Sequence, residues 1–449
     1  LLLTDEGEVF AWGHNNFGQL GLADIEDRLV PEFVSSLADF SVEYIACGHS
    51  FSLVSAHEHV WGFGLNTYGQ LGLGGRYFGD QSTPRPLPRY SPRTQLAHTL
   101  AAGISTASVT GPDQTTYSCG DSVGDGAPGN GRYFTQNPVV NGMLPVSLAC
   151  GERHTLAAFE DGSVYGWGYN HDRQLTADYA QTRFDYPVPL TSLSGEFVVG
   201  VACGLYSSYA VTDDGRLYGW GRNHYYQLGL GYSSSRVGFP QLIAVPGDRR
   251  VVDVDAGYGH AVVLCEDGTV FTCGENYGTG TTANLHTTLT QVDGLQGRMV
   301  VDIAAGLDDG AAVCDDGTVF VWGRNRDRKL GVSGNPRTPV QVTALGGEFI
   351  TSVAMGYAHM LFLTADGRLF GCGDGGYNGL GTSTSTPQLI TTLSGVTVEE
   401  ITCGRFSSFA RTVSGDVYSW GHPYHLGHGG GTSYVRYPTL ITNYRIINP

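Results

Sequence analysis

The chain has almost no lysine. Lys329 is the only one, so nearly all of its 25 basic residues are arginine, against 42 acidic residues and a formal net charge of −17. Binding nucleic acid without sequence preference requires many basic groups that displace phosphate counterions. So acidic a chain is poorly suited to it outside a local patch. No apolar run approaches the ~18 residues of a membrane-spanning helix. No Asn-x-Ser/Thr glycosylation acceptor occurs, and no stretch keeps a helical period. The nine cysteines are an odd number. Seven of them recur at two kinds of position: Cys47, Cys150, Cys203 and Cys403 before a glycine, and Cys119, Cys273 and Cys372 at the end of an apolar run. That pattern reads as small buried hydrophobes and not as a disulfide framework. Together these features lean towards an intracellular, reducing compartment, with cytoplasm, nucleus and organelle left undistinguished. The sequence opens at Leu1 in the middle of a repeat, which leaves room for an upstream segment, including a targeting peptide.

What the chain does have is glycine, 66 residues, about twice the usual ~7%. Much of it marks a repeat. A bulky residue followed by Gly closes a short apolar run nine times: Trp12-Gly13, Phe63-Gly64, Cys119-Gly120, Trp167-Gly168, Trp220-Gly221, Cys273-Gly274, Trp322-Gly323, Cys372-Gly373 and Trp420-Gly421. The spacing is about 51 residues, in the range of solenoids, propellers and arrays. Residues 251–292 show one unit. Val251-Val252-Asp253-Val254 alternates like a strand, and Gly257-Tyr258-Gly259-His260 is a turn. Ala261 to Cys265 is a second apolar run, Asp267-Gly268 reads as a two-residue hairpin needing φ > 0, and Thr269 to Cys273 is a third strand. A polar loop leads to an outer strand at 288–292, and prolines (Pro31, Pro138, Pro187, Pro240, Pro339, Pro387, Pro438) lead the outer strands, where a missing N–H is tolerated.

Each unit is therefore a four-stranded antiparallel meander, and the fold class is all-β. Residues 1–449 read as one β-propeller of about nine blades. A linear β-solenoid and a seven-bladed ring within a longer array are the alternatives. Arg445 to Asn448 align with the first strand of a unit, and Leu1 to Gly7 with the second strand and its hairpin. The expectation is that the two ends share a blade and latch the ring. The segment 74–99, rich in Pro and Arg, reads as a long loop within the ring, functional or mobile.

These signatures resemble the repeat family of the regulator of chromosome condensation. Its unit carries G-x-x-H-T, then D-G, then W-G-x-N-x-x-G-Q-L-G. Here the corresponding residues are Gly151-Glu152-Arg153-His154-Thr155, Asp161-Gly162 and Trp167-Gly168-Tyr169-Asn170, with the loop motif fullest at Asn16 to Gly21 and Asn66 to Gly72. The resemblance covers nearly the whole chain and implies the propeller. Members usually have seven blades, whereas nine units are counted here. It implies little about function, because function lives in sites grafted on folds.

In an up-and-down meander the G-x-x-H loops and the W-G-x-N loops share one face, and the Asp-Gly hairpins lie on the other. The variable loop positions of the first face are rich in Tyr and Arg, the residue types enriched at interface hot spots. The candidate interaction residues are Arg153, Tyr206, Tyr258, Tyr357, Phe406, Tyr225, Arg324 and Arg326. The alternative for these aromatics is packing onto adjacent blades. His154, His260 and His359 fill one repeat position, best read as tying a turn to its neighbour. His422, His425 and His428 could be zinc ligands, but Leu426-Gly427-His428-Gly429 is itself a variant of the family loop, and His57-Glu58-His59 replaces a hairpin turn. Arg324 to Lys329 is the densest positive cluster and would attract a carboxylate-rich or phosphorylated partner, unless it pairs internally.

No catalytic residue, metal site or cofactor is expected. The favoured reading is a non-enzymatic protein–protein interaction module, a scaffold or accessory subunit of a larger assembly. The alternative, implied by the resemblance, is a guanine-nucleotide exchange factor for a small GTPase; no position here matches the wedge such members use. A light-sensing member places Trp in the G-x-x-H loops, where this chain has Arg153, Tyr206, Tyr258 and Tyr357.

Overall fold

The computed structural model describes residues 1–4, 7–38, 42, 44–47, 50–56, 59–65, 80–86, 99–103, 106–110, 115–121, 130–136, 138–176, 180–275, 277–423, 426–428, 433–442 and 444–445. Nine antiparallel sheets form, one per repeat. The chain divides into two compact units, Leu1–Gln95 and Leu96–Pro449.

The first unit holds two sheets. One has three strands, Leu2–Leu3, Val9–Gly13 and Arg28–Phe33; the other has Tyr44–Cys47, Phe51–Ala56, His59–Gly64 and Gln81–Pro86. The last of these lies inside the segment expected to be a long loop. Gly62 pairs with Arg85 and Gly64 with Gln81, so part of that segment is the outer strand of its sheet. Residues 87–98 lie outside the described residues.

The second unit holds seven sheets, here blades one to seven. Their first strands are Leu100–Ala102, Pro145–Cys150, Val198–Cys203, Val251–Ala256, Val300–Ala305, Ile350–Met355 and Val398–Cys403. From blade two to blade seven a register shift interrupts the pairing of the first strand, at Ser147, Gly200, Asp253, Asp302, Ser352 and Glu400. A bulge re-aims a side chain, and here three such side chains reach the next blade. Ser147 Oγ accepts from Val201 N (3.1 Å), Asp302 Oδ2 from Val353 N (2.9 Å), and Glu400 Oε1 from Leu100 N (3.0 Å). The last bond runs from blade seven to blade one.

The G-x-x-H loops repeat this closure in backbone: Glu152 N to Leu205 O, Leu205 N to Gly257 O, Tyr258 N to Leu307 O, Tyr357 N to Arg405 O, and Arg405 N to Gly103 O, all 3.1–3.2 Å. Residues 96–449 thus form a closed seven-bladed propeller. With the two sheets of the first unit, the nine sheets match the nine repeats counted in the sequence. Tyr444–Arg445 runs parallel beside Phe134–Thr135 as a fifth strand of blade one; residues 446–449, expected to complete a blade shared by the two ends, lie outside the described residues.

Second strands such as His154–Phe159, Ser207–Thr212 and His260–Cys265 are buried along their whole length, because both faces pack on neighbouring blades. In the second unit the residue before the motif glycine plugs the wedge between blades, whereas Trp12 in the first unit is exposed. Trp167, Trp220, Trp322 and Trp420 are fully buried. Trp220 Nε1 donates to Gln174 O, Trp322 Nε1 to Gly278 O and Trp420 Nε1 to Tyr377 O, each in the preceding blade. Cys273 and Cys372 take the same place and their thiols make the same bond, to Gln227 O and Lys329 O. No disulfide joins any of the nine cysteines, all of which lie among the described residues.

The Asp-Gly hairpins differ from a two-residue turn. Gly268 has φ +73°, whereas Asp267 is not left-handed. Gly268 N donates to Cys265 O (2.9 Å) and the Asp267 carboxylate accepts from Thr269 N (3.0 Å). This is the longer hairpin loop that ends in a left-handed glycine. Most of the prolines sit within the outer strands, for example Pro187 in Arg183–Pro189; Pro339 leads Val340–Gln341 as expected, and Pro138 follows its strand and opens a short 3-10 turn.

Candidate functional site: the G-x-x-H face of the seven-bladed unit

The loop motifs themselves are scaffold. Asn15, Asn170, Asn223 and Asn325 each accept, through Oδ1, the N–H of the leucine five residues on. A Cβ on Gly151 would run into the His154 ring, so only glycine lets the imidazole tuck beneath the loop. That imidazole is buried. Ser208 Oγ spends its single proton on Gln174 O (2.6 Å), so His154 Nε2 must donate to Ser208 Oγ (3.2 Å). His359 does the same with Ser408, whose proton goes to Tyr377 O. Burial pulls both imidazoles down to about 3, and His260 to about 4. All three are neutral; His154 and His359 act as struts to the next blade, while neither ring nitrogen of His260 finds a hydrogen-bond partner among the described residues. His428 bonds to Ser419 Oγ (2.9 Å) and His422 packs edge-on to Tyr434; His425, His57 and Glu58 lie outside the described residues. Among the described residues no group of three His, Cys, Asp or Glu is placed to hold a metal.

The variable positions do something else. In blades two to six a backbone bond ties the strand-exit loop to the G-x-x-H loop of the same blade: Tyr169 N to Arg153 O, Arg222 N to Tyr206 O, Glu275 N to Gly259 O, Arg324 N to Asp308 O, Asp374 N to Ala358 O. His422 N to Phe406 O repeats it in blade seven. The two loop sets therefore share a face, as the topology requires, and their side chains interleave.

Two clusters result. In the first, the Arg222 guanidinium lies over three rings, Tyr206 (5.1 Å), Tyr225 (5.7 Å) and Tyr258 (6.0 Å). The Tyr225 and Tyr258 hydroxyls meet at 3.2 Å. That bond and burial raise the Tyr258 phenol, while burial and the neighbouring Glu152 push Tyr206 up to about 12. In the second, Arg405 lies 4.9 Å from both Tyr357 and Phe406. Tyr377 stacks on Phe406 at 5.4 Å and reaches Tyr434 at 5.8 Å. Arg326 bonds the Tyr357 hydroxyl (3.0 Å) and Asp308 (3.2 Å). Arg153 stacks on Tyr169, and Arg324 on Tyr277, each at distances near 5 Å. The four tyrosines named as candidates and Phe406 are half-buried; Arg153 and Arg324 are exposed.

The dense positive cluster at 324–329 proves largely spent. Arg324 and Arg326 both approach Asp308, and Lys329 is wholly buried, its Nζ 2.8 Å from Asp309 and 2.6 Å from Gly356 O. Arg222 and Arg405, by contrast, sit at the centres of the two clusters. Three further positions carry strain. The loop glycine seen at Gly18 is replaced by Arg173, Tyr226 and Arg328, which hold left-handed φ of +60°, +60° and +57°. Such conformations cost about 1–3 kcal/mol each and gather at functional sites. The missing glycine before Gln174, Gln227 and Lys329 was the sequence signal for them.

Residues 124–448 match the RCC1-like domain family, and residues 6–55 and 57–97 match the Regulator of chromosome condensation (RCC1) repeat. The chain is 29% identical over 286 residues to the Ultraviolet-B receptor UVR8 of Arabidopsis thaliana, covering 64% of this chain and 52% of the receptor. It is 30% identical over 421 residues to the E3 ubiquitin-protein ligase HERC2 of Homo sapiens, covering 91% of this chain but 8% of the ligase. The chain thus spans about half of one relative and a small part of the other. The crystal structure of human WBSCR16 shares the fold, with a TM-score of 0.62 at 22% identity over 87% of this chain and 96% of that one.

Proposed function

We propose that this chain, which belongs to the RCC1-like domain family, is a non-enzymatic protein-interaction module, a scaffold or accessory subunit that works inside the cell. Its partner binds the G-x-x-H face of residues 96–449. The observation that carries this reading is the continuous Tyr/Arg layer across blades two to seven, mounted on loops that the repeat's own Asn and His residues hold rigid. Aromatic and Arg anchors of this kind supply most of the energy of a protein interface when a partner excludes water from them. A receptor and a ubiquitin ligase both contain a stretch similar to this chain, so the residues of the face, and not the fold, decide the partner.

The test is affinity capture from the native source, comparing the parent with Tyr258→Ala/Tyr357→Ala and with a deletion inside residues 87–98. Truncating a hot spot costs roughly 2 kcal/mol or more, so the tyrosine variant should lose the partner while keeping its melting temperature. Loss with the deletion alone would show that the ring only holds that segment. Stimulated nucleotide release from a small GTPase would favour exchange activity instead.

A further inference from the structure

We propose that the G-x-x-H face recognises an acidic polypeptide segment, with Arg153, Arg222 and Arg405 as its carboxylate-binding groups. This rests on the face assignment above and adds the chemistry of the partner.

The two faces of the seven-bladed unit treat arginine differently. On the hairpin face four arginines next to Asp-Gly turns are neutralised, while Arg298 lies over the Phe320 ring (4.3 Å). Arg216 pairs with Glu196 (2.5 Å) and Asp214 (2.7 Å), and Arg368 pairs with Glu348 and Asp366 (2.6 Å each). Arg249 pairs with Asp267 and Arg250 with Glu266. On the G-x-x-H face, Arg153, Arg222 and Arg405 have no ion pair among the described residues. Like Arg216, Arg249 and Arg368 they lie over aromatic rings, but without the carboxylate those three hold: Arg153 over Tyr169, Arg222 over three tyrosines, Arg405 over Tyr357 and Phe406.

A guanidinium held against a ring is fixed in orientation and keeps its N–H edge for a planar bidentate acceptor. Arg405 Nε is buried without a hydrogen-bond partner, a donor that a bound carboxylate would satisfy. Nearby acids do not fill the role. Asp308 is taken by Arg324 and Arg326, and Asp309 by Lys329. Glu152 faces Tyr206. In a chain of net charge −17, leaving these three arginines unneutralised on one face is a local reversal of sign. It acts within about one Debye length, ~8 Å, so it serves a ligand in contact and not long-range steering.

The experiment measures fluorescence polarisation of a labelled Asp/Glu peptide on the full chain. A Gln/Asn peptide of equal length and a single-stranded DNA oligonucleotide are the comparison probes. The acidic peptide should bind at least about tenfold more tightly than either, the discrimination expected of charge-assisted bidentate pairs. Arg222→Gln and Arg405→Gln should each weaken it several-fold, and Arg153→Gln, on an exposed side chain that cannot disturb folding, should weaken it too. Arg216→Gln on the other face should change nothing. Equal binding of the neutral peptide, or indifference to all three substitutions, would overturn the proposal, and tighter binding of DNA would make the face a phosphate reader. If capture of the native partner depends on Tyr258 and Tyr357 while the acidic peptide fails to bind, the acidic-partner inference falls and the face assignment stands. If neither depends on the face, both fall.

Discussion

Lys329 occupies the loop position that Gln174 and Gln227 hold in blades two and three, and Asp309 occupies the position of His154, His260 and His359. Blade five has exchanged a neutral pair for a charged one, with both groups out of water. Burial lifts the Asp309 carboxyl to about 6 even with the lysine beside it. Removing one partner of such a pair leaves a buried charge and costs about 3–5 kcal/mol, whereas removing both is often nearly neutral. Lys329→Met should therefore be strongly destabilised in urea titration, and Lys329→Met/Asp309→Asn should recover most of the loss. The deficit has a sign in pH. A carboxyl whose folded pKa lies above its unfolded value contributes stability at low pH that is lost as pH rises through the folded pKa. Without Lys329 that pKa rises further, so the single variant should be worse at pH 8 than at pH 5. A deficit independent of pH, or a double variant no better than the single, would show that packing and not charge governs the site.

At the scale of the element, the repeat wrote most of the strands openly. Asp267-Gly268 marks a hairpin because its chemistry is local, and Trp220-Gly221 marks a wedge because an indole fills it in four of the seven blades and a cysteine in the other three. The exact turn was not legible. Only Gly268 is left-handed, since the Asp267 carboxylate closes the loop on Thr269 N by itself. Two of these glycines separate conformation from space. Gly415 has φ +84° and open space within 4 Å of where a Cβ would stand, whereas at Gly268 a Cβ would meet the Met299 sulfur at 2.5 Å and Val300 N at 2.9 Å. Gly415→Val should cost about 1–2 kcal/mol, the strain of a β-branched residue at positive φ. Gly268→Val should cost about 1–3 kcal/mol more, from overpacking against the next blade. Thermal melts of the two variants decide this; equal losses would mean the neighbouring blade gives way freely. The face residues show the same limit. Tyr206, Tyr258 and Tyr357 were readable as exposed-type residues in equivalent loops, but which arginines are spent depends on carboxylates in other loops. Arg326 is consumed by Asp308 and Arg216 by Glu196, neither of them its neighbour in sequence.

The closure of the ring belongs to the whole molecule and was the least legible property, because it rests on bonds between residues about 300 apart in the chain. Counting repeats gives nine sheets, but no local pattern says which sheet meets which. The closing contact is Glu400. Its carboxylate accepts from Thr99 N (2.7 Å), Leu100 N (3.0 Å) and Thr99 Oγ1 (2.6 Å) while Arg411 pairs with it at 3.0 Å, and its side chain is 6% exposed. A solenoid loses its ends first, because each repeat is held only by its neighbours. A closed propeller has no end to fray. Glu400→Ala should make one. It leaves the Thr99 and Leu100 N–H groups without their acceptor, each worth about 1–3 kcal/mol when buried, while Arg411 keeps its pair with Glu399. Hydrogen exchange should then quicken first in Leu100–Ala102 and Val398–Cys403, with blades three to five protected as before. Glu266→Ala, which breaks an exposed pair with Arg250 worth at most about 1 kcal/mol, should alter exchange nowhere beyond its own hairpin. Uniform acceleration across all seven blades in Glu400→Ala would mean that the unit unfolds as one body and that Glu400 adds stability without acting as the latch.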